Sequence, residues 1–255
     1  MAETTVAPES RRDRARADTV REIKQTARRV LVEQGVDGLA LRAVARQMGM
    51  TAPALYRYFS SREDLVENVV ADLYDELCND LECVRDAMQP ATPGVRLMEV
   101  ARRFRTWATT HHAEFGLLFG SAGERVLPED FRDGWERPAQ LAAARFGGVF
   151  AELVAQIYVE QGFPVPADDD LEPALQAQLS TWCAKLPVPL PLGAVAVFLS
   201  CWIRLYGMVC MEVFGHLRFA LDDAEPMFEA ELRALGGVLG VAQEYRPPRR
   251  DERHC

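Results

Sequence analysis

GVDGLALRAVARQMGMTAPALYRYFSSREDL, residues 35–65, carries two short helical patterns separated by a tight turn. Leu41, Val44, Ala45 and Met48 fall at i, i+3, i+4 and i+7, the apolar stripe of a helix that Gly49 ends, since a helix C-terminus commonly needs a residue tolerant of positive φ. Thr51 is a good N-cap for the next helix. Pro53 suits its first turn, where the missing N–H would have no partner anyway. Leu55 and Phe59 make an inward i, i+4 pair, which turns Tyr56 and Tyr58 outward. Gly49, Met50 and Thr51 then form the turn of a helix-turn-helix, a unit whose second helix enters the DNA major groove with its N-terminal residues at base edges.

Working outward, helical periodicity runs from Val20 through Ile23, Ala27, Val30 and Leu31 until Gly35 stops it. Residues 1–17 carry Pro8, Arg11, Arg12, Arg14 and Arg16 with almost no apolar content and read as a flexible basic arm. Ser60 and Glu63 have capping-box spacing, and a fourth helix continues through Leu65, Val69, Leu73 and Leu77 to about residue 86. Pro90 and Pro93 separate this head from a body with helices expected near 94–110, 112–119, 131–161, 170–185, 192–214 and 225–241. No stretch alternates as a strand would. The expected fold is all-α: a three-helix helix-turn-helix domain over 18–62, a helical body over 63–244 and a frayed tail over 245–255.

The outward residues of the turn and third helix suit a duplex. The Thr51 hydroxyl serves bases or phosphates, and the Ala52 and Ala54 methyls can pack on thymine methyl groups. Tyr hydroxyls such as those of Tyr56 and Tyr58, like Arg guanidiniums in general, are natural phosphate contacts, which position a protein without reading sequence. The arm reads either as a solvated tail or as a phosphate-attracting, minor-groove element.

Charge supports a polyanion partner at one end only. The 255 residues hold 29 Lys and Arg against 38 Asp and Glu, a net of -9. Residues 1–62 are nevertheless net +5 and the remainder net -14. The six cysteines show no C-x-x-C spacing and the N-terminus has no apolar stretch of signal-peptide type, so a cytoplasmic protein with reduced thiols is expected. The apolar run Pro191–Phe214 is interrupted by Arg204 and Glu212, which favours a buried helix over a membrane span. Asp168, Asp169 and Glu172 superficially fit a metal–diphosphate pattern. They follow Pro164 and Pro166 and read as the acidic first turn of a helix instead. With no phosphate-cradling glycine loop, nucleophile elbow or His/Cys metal spacing, neither an enzyme nor a cofactor is expected.

The run from Arg21 to Leu65 resembles the N-terminal domain of TetR-type transcriptional regulators in its turn, its spacing, its Tyr-x-Tyr-Phe segment and its Ser-Arg-Glu-x-Leu. The resemblance implies that the third helix enters the major groove and that a cation opening the fourth helix holds a phosphate. By position these are Thr51, Ala52, Ala54, Tyr56, Tyr58 and Arg62. Two departures stand out. Ala40 replaces the Ser or Thr that often opens the second helix, with Arg42 as the substitute backbone contact, and Arg62 replaces the usual Lys.

The resemblance also implies an all-α C-terminal domain that dimerises and binds a small effector. The segment Trp202–Leu217 is similar to a Trp-x-x-x-His/Tyr-Gly stretch of one subfamily. Helices near 192–214 and 225–241, with stripes Val195, Leu199, Trp202, Leu205, Val209, Val213 and Leu232, Leu235, Val238, Leu239, are the expected homodimer surface. Phe104, Trp107, His111, Phe115, Trp135, Phe150, Trp182 and Tyr206 are candidate effector contacts, with Phe146 and Met208 beside them and core packing as the plainer role of each. The expected function is a repressor released from a palindromic double-stranded DNA operator by a small molecule. An activator or an architectural DNA binder is the alternative.

Overall fold

The computed structural model describes residues 11–120, 137–183 and 190–248. In chain order these form α1 (Arg11–Gly38), α2 (Leu41–Gln47), α3 (Ala52–Leu55), α4 (Arg62–Ala87), α5 (Pro93–Thr110), α6 (His112–Phe119), α7 (Pro138–Glu160), α8 (Pro173–Cys183), α9 (Leu192–Val213) and α10 (Glu225–Val238), with short 3-10 turns at Asp168–Asp170 and Ala242–Glu244. No strand occurs among the described residues, and the fold is all-α.

The chain divides into two compact units. Within the described residues the first holds 11–75, 113–120 and 137–143, and the second holds 76–112, 144–183 and 190–248. Where the sequence suggested a boundary at residue 62, the first unit therefore runs on through half of α4 and takes in α6.

In the first unit, Ile23, Ala27, Val30 and Leu31 of α1 are buried together with Leu41, Val44 and Ala45 of α2, Leu55 of α3, Phe59, and Leu65, Val69 and Leu73 of α4. Two ion pairs fix α1 over this core: Lys24 to Asp72 of α4 at 2.6 Å, and Arg28 to Glu114 of α6 at 3.2 Å. Gly35 sits at φ 71°, ending the regular part of α1. Helix α1 begins at Arg11, so Arg11 to Ala17 of the expected arm are helical, and residues 1–10 lie outside the described residues. The cap of α4 also differs from the Ser60/Glu63 box. Ser61 Oγ accepts from Asp64 N at 3.0 Å, and the Asp64 carboxylate accepts from Ser60 N and Oγ at 2.7 and 2.9 Å. The Ser61 hydroxyl therefore caps the helix, and the Asp64 side chain reaches back one residue beyond the cap, to Ser60.

In the second unit, α9 packs on α5, α8 and α10. Val195, Leu205, Val209 and Val213 are buried in this unit's own core, together with Leu232 and Leu235 of α10. Two helices, α7 and α9, are long and apolar enough to cross a membrane by length and composition. Both charges that interrupt α9 are paired inside the unit, Arg204 to Glu231 at 2.6 Å and Glu212 to Arg105 at 2.5 and 2.7 Å. Asp168, Asp169 and Asp170 form an exposed 3-10 turn ahead of α8 rather than its first turn, and the Glu172 carboxylate accepts from Leu175 N at 3.0 Å as the helix cap.

Part of the expected frayed tail is held in place. Tyr245 lies under the Arg102 guanidinium at 5.5 Å and donates to Glu229 at 3.0 Å, while the Arg246 carbonyl accepts from Arg102 at 2.7 Å.

Candidate nucleic-acid interface and apolar cavity

The turn between α2 and α3 is built by its glycine. Gly49 adopts φ 66°, Gly49 N donates to the Arg46 carbonyl at 3.2 Å, and Met50 N donates to the Ala45 carbonyl at 2.8 Å. This paired arrangement satisfies the last carbonyls of α2 and reverses the chain. Thr51 then caps α3, its hydroxyl accepting from Ala54 N at 3.4 Å, with Pro in the first turn. Leu55 and Phe59 are buried, and that fixes the opposite face outward. On that face Thr51 is exposed, Ala52, Ala54 and Tyr58 are half-buried, and Tyr56 is 51% exposed.

Cations ring this surface. Arg42 is exposed on the first turn of α2, whose N-cap Ala40 makes no side-chain hydrogen bond. Arg46 and Arg57 are also exposed, and among the described residues none of these three guanidiniums forms an ion pair. Arg62 opens α4. Its Nε is buried without a hydrogen-bond partner and stands 3.4 Å from the largely exposed carboxylate of Glu63. The backbone amide of Glu63 at the start of α4 is the main cause holding that carboxyl below its usual range; slight burial opposes it, and Ser61 and Arg62 assist. The sequence pattern singled out neither Arg46 nor Arg57. Arg16, expected in a flexible basic arm, instead lies on α1 with its guanidinium 5.0 Å from the centre of the Tyr58 ring. Nothing local in the sequence signals a contact spanning so many residues.

The second unit holds a partly open apolar cavity between α5, α7, α9 and α10, with Leu97, Phe150, Phe198, Trp202, Leu232 and Val241 among its lining. It leaves about 40 Å³ for the centre of a water molecule. Phe104, Phe146 and Phe150 cluster around Trp202 with ring centroids 5.2–6.3 Å apart, and Tyr206 stacks on Trp202 at 5.7 Å. Cys201 also faces the cavity. Burial raises its thiol to about 11, so it presents no charge there at neutral pH.

The expected effector contacts scatter when placed in the structure. Phe150 lines the cavity, and Phe104 and Tyr206 support it through Trp202. Trp107 is buried and stacks on His111 at 5.0 Å, with His111 Nδ1 3.0 Å from the Trp107 carbonyl. Neither lines the cavity. Trp182 stacks on Phe198 from outside the lining. Phe115 belongs to the core of the first unit, packed on Phe119 at 4.8 Å. Trp135 lies outside the described residues. Trp202, assigned by its periodicity to a dimer stripe, is the central wall residue instead.

A capped short helix after a tight turn, an outward Thr/Tyr face, unpaired arginines around it and an all-helical second unit define a DNA-binding helix-turn-helix regulator. The chain belongs to the TetR family of bacterial transcriptional regulators. The family profile described as "Bacterial regulatory proteins, tetR family" matches residues 23–69, and "Tetracyclin repressor-like, C-terminal domain" matches residues 97–235. HTH-type transcriptional regulators of Mycobacterium tuberculosis and Mycobacterium bovis are 31% identical over 238 residues, covering 90% of this chain and 95% of theirs. The crystal structure of the regulatory protein SCO4313 superposes with a TM-score of 0.68 at 28% identity, covering 91% of this chain and 100% of that one. That of RolR in complex with resorcinol superposes with a TM-score of 0.50 at 16% identity, covering 92% and 98%.

Proposed function

We propose that the protein is a homodimeric repressor that leaves a palindromic operator when an uncharged, apolar small molecule enters the second unit. The observation that carries the reading is the pairing, in one chain, of an outward, cation-ringed α3 with a separate cavity walled by aromatic and aliphatic side chains. In this reading Thr51, Ala52 and Ala54 meet base edges, while Arg42, Tyr56, Tyr58 and Arg62 meet phosphates. Two copies place their α3 helices about 34–36 Å apart, one helical turn of DNA.

The cavity is smaller than the ~150 Å³ hollow that accepts benzene, so a ligand must move its walls to enter. A ligand that favours a wall-shifted state can bind it better than the DNA-competent one, and the difference between the two affinities is what lowers operator affinity. Helix α4 has residues in both units and is the covalent path for that shift. RolR, similar to this chain in fold, holds resorcinol, and a small aromatic is the chemistry that aromatic walls suit.

The dimer surface is the exposed face of α9 and α10. It includes Ile203, Gly207 and Met211 on α9, and Met227, Ala230, Ala234 and Val238 on α10.

The test begins by selecting duplexes from a randomised pool with the full-length protein, followed by DNase footprinting. A discrete palindrome is expected; diffuse protection would mean an architectural binder. Small aromatics that raise the thermal midpoint are then added to the complex. Release of the duplex supports a repressor that ligand entry removes from its operator, and tighter binding overturns it.

A further inference from the structure

We propose that Arg16 is a positioning residue for DNA binding: it holds Tyr58 against the end of the recognition helix without itself touching the duplex. This rests on the reading that Tyr56 and Tyr58 meet phosphates. Helix α3 is a single turn, Ala52–Leu55, too short to hold its own shape through internal hydrogen bonds. The residues after it, Tyr56 to Tyr58, form a turn whose orientation depends on what grips it. From below it is gripped by the buried side chains Leu55 and Phe59. From above, α1 supplies Arg16, whose guanidinium carbon lies 5.0 Å from the centre of the Tyr58 ring and whose Nη2 donates a long hydrogen bond, 3.5 Å, to the Arg57 carbonyl.

The two contacts act at different points of the same turn. The cation lies over the face of the Tyr58 ring, which restricts the ring of this half-buried side chain. The bond to the Arg57 carbonyl engages a main-chain group that helix α3 is too short to satisfy. Arg16 in turn is carried on a long helix tied down by the Lys24–Asp72 and Arg28–Glu114 ion pairs, so the clamp has a rigid base. Arg12, on the same helix and exposed, makes no ion pair among the described residues and is the natural control for simple phosphate attraction.

The experiment uses the full-length protein and a 30-base-pair duplex that the wild type selects from a randomised pool. Affinity is measured against salt for Arg16→Ala, Arg12→Ala, Tyr58→Ala and the Arg16/Tyr58 double variant. An exposed cation–π contact is worth about 0.5–1 kcal/mol, so Arg16→Ala is expected to weaken binding roughly two- to fivefold per protomer. The slope of log K against log salt stays unchanged, and the double variant binds no more weakly than Tyr58→Ala. In the free protein, hydrogen exchange over residues 52–60 speeds up in Arg16→Ala and not in Arg12→Ala, with the thermal midpoint held.

A slope reduced by about 0.9 for each protomer bound in Arg16→Ala marks a lost phosphate contact and overturns the proposal. So does a loss that adds fully to that of Tyr58→Ala, or unchanged exchange over residues 52–60. If Tyr58→Ala leaves affinity untouched while that exchange still responds to Arg16, the clamp exists and the phosphate reading of Tyr58 is what fails, taking the DNA-binding role of Arg16 with it.

Discussion

Phe150 shows how one side chain can belong to the core and to a cavity wall at once. It is 2% exposed, packs on Phe104, Phe146 and Trp202, and also forms part of the cavity wall. Replacing it with Ala removes a buried ring and enlarges the hollow, which for Phe typically costs about 3–5 kcal/mol. Phe150→Ala is therefore expected to shift the urea midpoint down by an amount matching that loss, and to recover part of it in the presence of benzene, a probe for a dry apolar cavity. No recovery would mean that the walls collapse into the space. Which aromatics do this was only partly legible. Phe104, Phe150 and Tyr206 stood out as candidates, whereas Trp202 was assigned to a dimer stripe. The reason is physical: a 3.6-residue period reveals that a helix has an apolar face, and it carries no information about whether the chain's own core or a second copy covers that face. Val195, Leu205, Val209 and Val213 obey the same period and are covered by their own chain.

Elements whose boundaries rest on local chemistry could be read directly, and those fixed from a distance could not. Gly49 and Thr51 mark the end of α2 and the start of α3 because both act within a turn of where they stand. The same holds for α6, expected over 112–119 and observed as His112–Phe119. The start of α5 is different. Thr92 is its local cap, yet the carboxylate of Glu244 also accepts from the Thr92 hydroxyl and from Val95 N at 3.1 Å, reaching back from the far end of the chain. Gly94 belongs to the same contact, since a Cβ there would run into that carboxylate and come within 2.9 Å of Val241 Cβ. No local pattern announces such a cap, just as none announces the contacts of Tyr245 and Arg246 with Arg102 and Glu229 that hold the start of the expected frayed tail. Glu244→Ala removes an acceptor at a helix N-terminus, a loss of about 1 kcal/mol. For a chain of this size that lowers the thermal midpoint by roughly 2–4 °C. Differential scanning calorimetry of Glu244→Ala beside Gln243→Ala checks it, and equal midpoints would show that Thr92 alone suffices.

At the scale of the whole molecule the net charge of -9 conceals a basic head and an acidic body, and the basic part is where the unpaired arginines stand. The acidic remainder repels phosphate, and in the repressor reading proposed above a palindromic site calls for two protomers related by a two-fold axis. That places the burden of assembly on an apolar surface in the second unit. Ile203 is 67% exposed, Met211 lies two turns further along α9, and the Arg204–Glu231 ion pair joins α9 to α10 beside them. Exposed apolar side chains grouped on neighbouring helices are what an isologous four-helix contact covers, and in such a contact every residue of the patch is presented by both copies. Ile203→Glu would then bring two carboxylates into one apolar interface beside Arg204, which is already paired with Glu231, a cost of several kcal/mol for the pair. The expected result is a folded monomer at micromolar concentration by sedimentation velocity, with the helical circular dichroism of the wild type. Affinity for a single half-site should be retained and affinity for the full palindrome should fall toward it, because the second half-site no longer binds at the high effective concentration that tethering provides. A variant that still sediments as a dimer would move the interface elsewhere, and Phe219, 87% exposed just beyond α9, is the next position to change.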